Sequence, residues 1–204
     1  MSICNAYVTA DMALVAVDTA AANYRDPQNP IYLNVQKAMI HGDVLVASVG
    51  GLGLSVELHT ALLRTGMFWR IDEVLAQLPS LLTAAEHLHH GAMKSEGVTA
   101  DRPLIGQHQI TVVGWSERLG RIKACVAELR PHGWQIDEIV NWSLSPKVSG
   151  ITADDLSTIS GMKATAAHQV AGAKEADSAI PIGGELILYQ VVRDGITVRK
   201  LGAI

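Results

Sequence analysis

Residues 2–18 read SICNAYVTADMALVAVD, and the most informative feature of the chain is the 16-residue spacing between the Ser that begins this stretch and the Asp that ends it. Ser2 follows Met1, and methionine aminopeptidase removes Met before small residues, so we expect Ser2 to become the first residue of the mature chain. A terminal amine with a pKa of about 7.7–8.0 is partly unprotonated near neutral pH. A hydroxyl beside its own amine is one route to a nucleophile. The simpler alternative is that Ser is a frequent second residue.

The same stretch predicts a strand, a turn and a second strand. Residues 3–8 form the first strand, 9–11 the turn and 12–18 a second strand whose apolar run is typical of burial on both faces. Asp18 is either a simple turn starter or an ion-pair partner, because a hairpin brings its position close to the start of the first strand. Lys37 is the candidate cation, although a solvated surface Lys is the simpler alternative.

A glycine-rich turn follows the next apolar segment. Residues 44–49 are mostly apolar and β-branched, and Gly50-Gly51-Leu52-Gly53 leads into a helix predicted over 54–65. The backbone N–H groups of Gly50 and Gly51 can be presented to an oxyanion at such a turn.

The remaining periodicities predict an α+β chain. Further strands are expected near 35–40, 108–116, 121–129, 134–142, 184–192 and 195–201, and further helices near 70–92 and 153–176. This order suits two antiparallel sheets that pack together with helices outside.

The chain resembles the proteasome β-subunit and HslV group of N-terminal nucleophile hydrolases. VAVDTAA at 15–21 is similar to the family's signature around the Asp that lies 16 residues after the nucleophile. QKAMI at 36–40 is similar to the segment that holds the family's catalytic Lys, and SVGG at 48–51 is similar to the strand end that holds the family's oxyanion glycine. Residues 110–134 resemble paired strands of the second sheet, and 183–204 resemble the closing hairpin. Departures from the family pattern are Ser in place of the usual Thr nucleophile, and Ala20 and Ala22 in place of Arg and Thr.

The resemblance implies a single domain over 1–204 with a four-layer αββα sandwich of two antiparallel sheets. It implies a self-compartmentalising peptidase in which a homo-oligomeric ring encloses the sites that act on peptide or protein substrates. The implied catalytic residues are Ser2 as nucleophile, Asp18, Lys37, the oxyanion glycine at Gly50 or Gly51, and late assisting residues for which Ser145 and Asp177 are candidates. Whether an ATPase partner feeds such a ring stays open. The alternative function is a non-catalytic ring or shell subunit that keeps the fold without hydrolysis.

Composition narrows the classes of partner. No apolar run approaches 18 residues, which argues against a membrane span, and a net charge of −4 without a basic block argues against nucleic acid binding. Two cysteines make no disulfide framework, and the absence of a signal-peptide pattern favours the cytoplasm. Hydrophobic residues make up 49% of the chain, which favours a large subunit interface, and helices 54–65 and 70–92 are expected to contribute to it.

Two weaker patterns of candidate functional residues are better explained by ordinary structural roles. Glu86 and His90 have the i, i+4 spacing of helical metal ligands, but a solvated helix end is favoured, and we predict neither a metal nor a cofactor. Cys4 lies on the same strand face as Ser2, where a small buried Cys is favoured over an alternative nucleophile.

Overall fold

The computed structural model describes residues 2–23, 31–64, 69–95, 108–175 and 182–204. Within these ranges the fold is a mixture of antiparallel sheets and helices. The strands are β1 (Cys4–Val8), β2 (Met12–Asp18), β3 (Ala20–Asn23), β4 (Ile31–Asn34), β5 (Ala38–His41), β6 (Val44–Val49), β7 (Gln109–Ser116), β8 (Arg121–Arg130), β9 (Gly133–Glu138), β10 (Trp142–Ser145), β11 (Glu185–Val192) and β12 (Gly195–Ala203). The helices are α1 (Leu52–Arg64), α2 (Ile71–Ser95), α3 (Ala153–Leu156) and α4 (Ile159–Glu175).

The first sheet has the strand order β10-β1-β2-β11-β12. Its central hairpin closes at Thr9, whose N–H donates to the Met12 carbonyl at 2.8 Å while its hydroxyl accepts the Met12 N–H at 3.1 Å. The register pairs Cys4 with Val17 on one side of β2 and Leu186 with Asp18 on the other. The start of β1 therefore lies beside the end of β2, as residues 2–18 predicted.

The second sheet has the order β5-β6-β7-β8-β9, and β3 pairs with β4 in a separate two-stranded sheet. All strand pairs that the structure describes are antiparallel. The strand β6 pairs with the edge strand β5 on one side and with β7 on the other, and the glycine turn follows its end at Val49 at one rim of the sheet.

Three apolar clusters hold these elements together. One lies between the two large sheets and joins residues such as Val15 and Val17 of β2 to Leu45 of β6 and Val113 of β7. The second covers the other face of the second sheet with α1 and α2, and the third covers the other face of the first sheet with α3 and α4. Alternate residues of β6 therefore enter different clusters, because successive side chains of a strand point to opposite faces. This packing is compatible with a sandwich.

Two predicted elements are each divided in the structure. The strand expected over 134–142 corresponds to nearly all of β9 and to the first residue of β10, and these two strands belong to different sheets. The helix expected over 153–176 stops after Leu156, where the Ser157 N–H and hydroxyl both bond the Asp154 carbonyl, and restarts as α4 at Ile159. Side chains that bond the backbone locally compete with helix continuation, which explains the break.

The short β3–β4 hairpin was not predicted from the sequence, and β5 begins at Ala38 rather than at residue 35. The four residues of β4 are all exposed, so they lack the alternating pattern by which a half-buried strand is recognised. None of the helices that the structure describes has both the length and the apolar character needed to cross a bilayer.

Candidate active site

Asp18 is the centre of a buried polar cluster. Its side chain is 0% exposed and accepts three hydrogen bonds: from the Ile3 N–H at 2.8 Å, from Lys37 Nζ at 2.7 Å and from the Gly183 N–H at 3.0 Å. The Ile3 N–H belongs to the peptide bond that follows Ser2, so the carboxylate fixes the orientation of that peptide. A carboxylate in this position ties together β2, the start of the chain and the segment before β11.

Lys37 connects Asp18 to the candidate nucleophile. Its ammonium donates to Asp18 Oδ1 at 2.7 Å and to Ser2 Oγ at 3.1 Å, and the Lys37 side chain is only 6% exposed. Burial lowers the pKa of Lys37 below its ordinary value, and the Asp18 carboxylate opposes that shift. The hydroxyl of Ser2 thus faces a cation inside the protein, which favours negative charge developing on Oγ.

The backbone of Lys37 is also held firmly. Its carbonyl accepts the Ser48 N–H at 2.8 Å and the Ser48 hydroxyl at 3.2 Å. Because Ser48 lies two residues before Gly50, these bonds bring the Lys37 segment and the glycine turn to the same rim of the second sheet. The Ser48 hydroxyl is within 2.7 Å of the Ser55 hydroxyl in α1, so the turn is joined to the helix that it begins.

The glycine turn itself is shaped by a histidine. Gly50 has a φ of 112°, a conformation that glycine adopts readily. The Gly51 N–H donates to His108 Nδ1 at 3.2 Å, so that donor is occupied and Gly50 is the better candidate for an oxyanion contact. His108 is 4% exposed, and its burial lowers its pKa to about 4.

Of the two late assisting residues proposed from the sequence, Ser145 lies among the residues that the structure describes. Ser145 ends β10 opposite Cys4, and among the residues that the structure describes it makes no hydrogen bond to Ser2, Asp18 or Lys37. Asp177 lies outside the described residues.

Cys4 is a buried core residue. Its thiol donates to the Thr111 hydroxyl at 3.5 Å and lies in the apolar cluster between the sheets. Burial raises its pKa to about 11, and a protonated thiol is a weak nucleophile.

The histidine-rich end of α2 makes structural contacts. Glu86 accepts a hydrogen bond from Trp134 Nε1 at 3.1 Å, and His89 lies edge-on to His108 with ring centroids 6.4 Å apart. No group of three His, Cys, Asp or Glu side chains suited to a metal ion is found among the described residues.

Three participants in this site were missed by sequence reasoning. The N–H groups of Ile3 and Gly183 carry no side-chain signal, although the Gly183-Gly184 pair marks the point where the chain enters β11 with φ values of 125° and 81°. His108 is a single histidine at the start of a strand, and only its contact with Gly51 reveals its position. No family model matches this chain, and no curated protein matches it in sequence.

Proposed function

We propose that this chain is an N-terminal nucleophile hydrolase of peptide or related amide bonds, with Ser2 as nucleophile once Met1 has been removed. The observation that carries the proposal is the ammonium of Lys37, which lies between the Asp18 carboxylate and the Ser2 hydroxyl in a buried site. An ion pair that serves stability alone does not require an additional contact with the hydroxyl of the residue that becomes the N-terminus when Met1 is removed.

In the proposed reaction, Ser2 Oγ forms a bond to the substrate carbonyl carbon while its proton passes to the Ser2 α-amine. The Lys37 ammonium stabilises the negative charge on Oγ during the transfer, and its own charge lowers the pKa of the neighbouring amine. The Gly50 N–H donates to the oxyanion that forms on the carbonyl oxygen.

The tetrahedral intermediate then breaks its carbon–nitrogen bond. The proton held by the α-amine goes to the departing amine, which leaves an ester between the acyl group and Ser2. A water molecule attacks that ester, the α-amine accepts a proton from the water, and Ser2 Oγ leaves with a proton. Asp18 keeps Lys37 charged and fixes the Ser2–Ile3 peptide through both stages.

We also propose that the chain has the four-layer architecture and the ring assembly of the family that it resembles. The helix pairs on the outer faces of the two sheets support a four-layer αββα arrangement. Val56 and Leu63 are exposed on α1, 51% and 63%, and lie seven residues apart on one side of the helix, which supports a homo-oligomeric ring in which α1 contributes to subunit contacts. We place this assembly in the cytoplasm.

The test is acylation of Ser2. The protein purified from its native host is analysed by intact mass for loss of Met1, then incubated with a β-lactone and with peptidyl-aminomethylcoumarin substrates. We expect one acyl adduct, mapped to Ser2 by peptide mass spectrometry, and both adduct and turnover lost in Ser2→Ala.

Two control variants sharpen the result. Ser160→Ala removes an exposed hydroxyl on α4, and Cys4→Ala removes the nearby thiol; both should keep the adduct on Ser2. Full turnover by Ser2→Ala, or an adduct on Cys4, would contradict the assignment. A native protein that keeps Met1 and forms no adduct would support the non-catalytic ring or shell subunit.

A further inference from the structure

The turn after β6 and the first turn of α1 are packed directly against two imidazole rings. A Cβ added to Gly51 would lie 2.8 Å from His108 Cε1, and one added to Gly53 would lie 2.5 Å from His89 Cε1. Both distances are too short for any other residue without a shift of the histidines. Glycines at these two places therefore allow the turn to approach β7 and α2 closely.

The hydrogen bond from Gly51 determines the tautomer of His108. Because the Gly51 N–H is the donor, Nδ1 must be unprotonated and the ring proton must lie on Nε2. Burial, with smaller contributions from His89 and His90, lowers the His108 pKa to about 4, so the ring stays neutral over the physiological range. The acceptor is thus permanently present at neutral pH.

The opposite side of the turn is held by hydroxyl groups. Ser48 bonds the Lys37 carbonyl and lies 2.7 Å from Ser55 Oγ, which fixes the residues just before and just after the turn. Between them, Gly50 and Gly51 have the most permissive backbone torsions of any residues. Among the residues that the structure describes, the Gly51–His108 bond restrains the peptide joining these two glycines.

We propose that His108 is a positioning residue that holds the Gly50–Gly51 turn in the orientation required to stabilise the oxyanion. This inference rests on the proposed function. His108 does not touch the reacting atoms; it acts through the Gly51 N–H. Without that restraint the Gly50–Gly51 peptide can reorient and shift the adjoining Gly50 N–H with it, so the oxyanion contact is weakened while substrate binding elsewhere is retained.

The test compares His108→Leu, which removes the acceptor, with His108→Asn, whose amide oxygen can accept from the Gly51 N–H. For His108→Leu we expect kcat on the coumarin substrates to fall about 10–100-fold with KM unchanged, because loss of one oxyanion donor costs about 100–1,000-fold and a misdirected donor less. The inhibition constant of a peptide boronate, which forms a tetrahedral adduct, should rise by a similar factor. His108→Asn should recover most of both.

His59→Gln is the matched control, since His59 is a second buried histidine that bonds His41 at 2.8 Å rather than the glycine turn. It should leave both constants unchanged. A second measurement uses the unmodified protein: nitrogen NMR of labelled histidine should show Nδ1 of His108 unprotonated at pH 7.

The outcomes separate the two proposals. Acylated Ser2 together with wild-type kcat and boronate affinity in His108→Leu would overturn the role of His108 alone, as would a protonated Nδ1. A wild-type protein without any Ser2 acylation would overturn the proposed hydrolase, and the role of His108 with it.

Discussion

Replacing Asp18 by Asn tests the buried ion pair without reference to any substrate. The substitution keeps the shape of the side chain but removes its charge. The amide oxygen can replace one carboxylate oxygen at most, whereas Asp18 now uses Oδ1 for Ile3 and Lys37 and Oδ2 for Gly183. Lys37 is left as a buried ammonium without a counterion.

The magnitude follows from burial. Removing one partner of a buried ion pair costs about 3–5 kcal/mol, because the remaining charge loses its compensation and cannot regain water. For a domain of this size each kcal/mol corresponds to roughly 2–4 °C, so the melting temperature should fall by roughly 6–20 °C. Part of the cost is relieved if Lys37 loses its proton, a change that its lowered pKa favours.

The assay is urea unfolding followed by circular dichroism, with the slope m compared between variants to verify that the same surface is exposed. The matched control is Glu138→Gln, which breaks the ion pair with Arg121. That pair has an N···O distance of 3.0 Å, but its side chains are 48% and 45% exposed. We expect it to cost no more than about 1 kcal/mol.

The double variant Asp18→Asn with Lys37→Met removes both charges of the pair. Because it leaves no buried charge, it should be more stable than Asp18→Asn alone. The reasoning would be refuted by a cost for Asp18→Asn equal to that of Glu138→Gln, or by a double variant less stable than the single one.

Three further outcomes are expected. Lys37→Arg should lack turnover, because a planar guanidinium cannot reproduce the compact contact of the ammonium with the Ser2 hydroxyl. Turnover close to wild type would contradict the proposed role of Lys37. Protonation of His59 should lower the free energy of unfolding by about 2 kcal/mol between pH 7 and pH 5, because burial lowers its pKa from 6.5 to about 4 in the folded chain and the unfolded chain therefore takes up the proton first. Urea midpoints that fall as steeply with pH in His59→Gln would exclude this origin. Light scattering at micromolar concentration should give a mass many times 21.8 kDa, and a monomer would contradict the ring.

The part of the molecule that could be predicted from the sequence is the part governed by local pattern. The apolar run before Asp18 and the turn at Thr9 each indicate their local structure, and the structure places both as expected. The glycines after Val49 do form a turn into a helix, but α1 begins at Leu52, so Gly53 lies in the helix rather than in the turn. The contact of Lys37 with Asp18 was a hypothesis based on spacing and resemblance, and the coordinates give it a distance of 2.7 Å.

The parts that could not be predicted depend on contacts between distant segments. The chain leaves the second sheet after Glu138 and enters the first at Trp142, a change of sheet that three intervening residues do not reveal by composition. The Asn141 carbonyl is fixed there by the Val8 N–H at 2.7 Å, a partner 133 positions earlier in the chain. His108 was missed for the same reason, since its meaning lies in a bond to Gly51.

The proposed reaction gives the burial of Lys37 and Asp18 a purpose that stability alone does not supply. A buried ion pair is often no more stabilising than apolar residues of similar volume. A gain in folding stability alone therefore does not explain why Asp18 and Lys37 are buried. The additional contact of Lys37 with the Ser2 hydroxyl places the ammonium where negative charge develops in the proposed reaction. The carboxylate, in turn, opposes the lowering of the Lys37 pKa that burial causes, and it accepts the N–H of the Ser2–Ile3 peptide at 2.8 Å. Under the proposed mechanism, a single buried Asp therefore sets both the charge beside the nucleophile and the direction in which the nucleophile points.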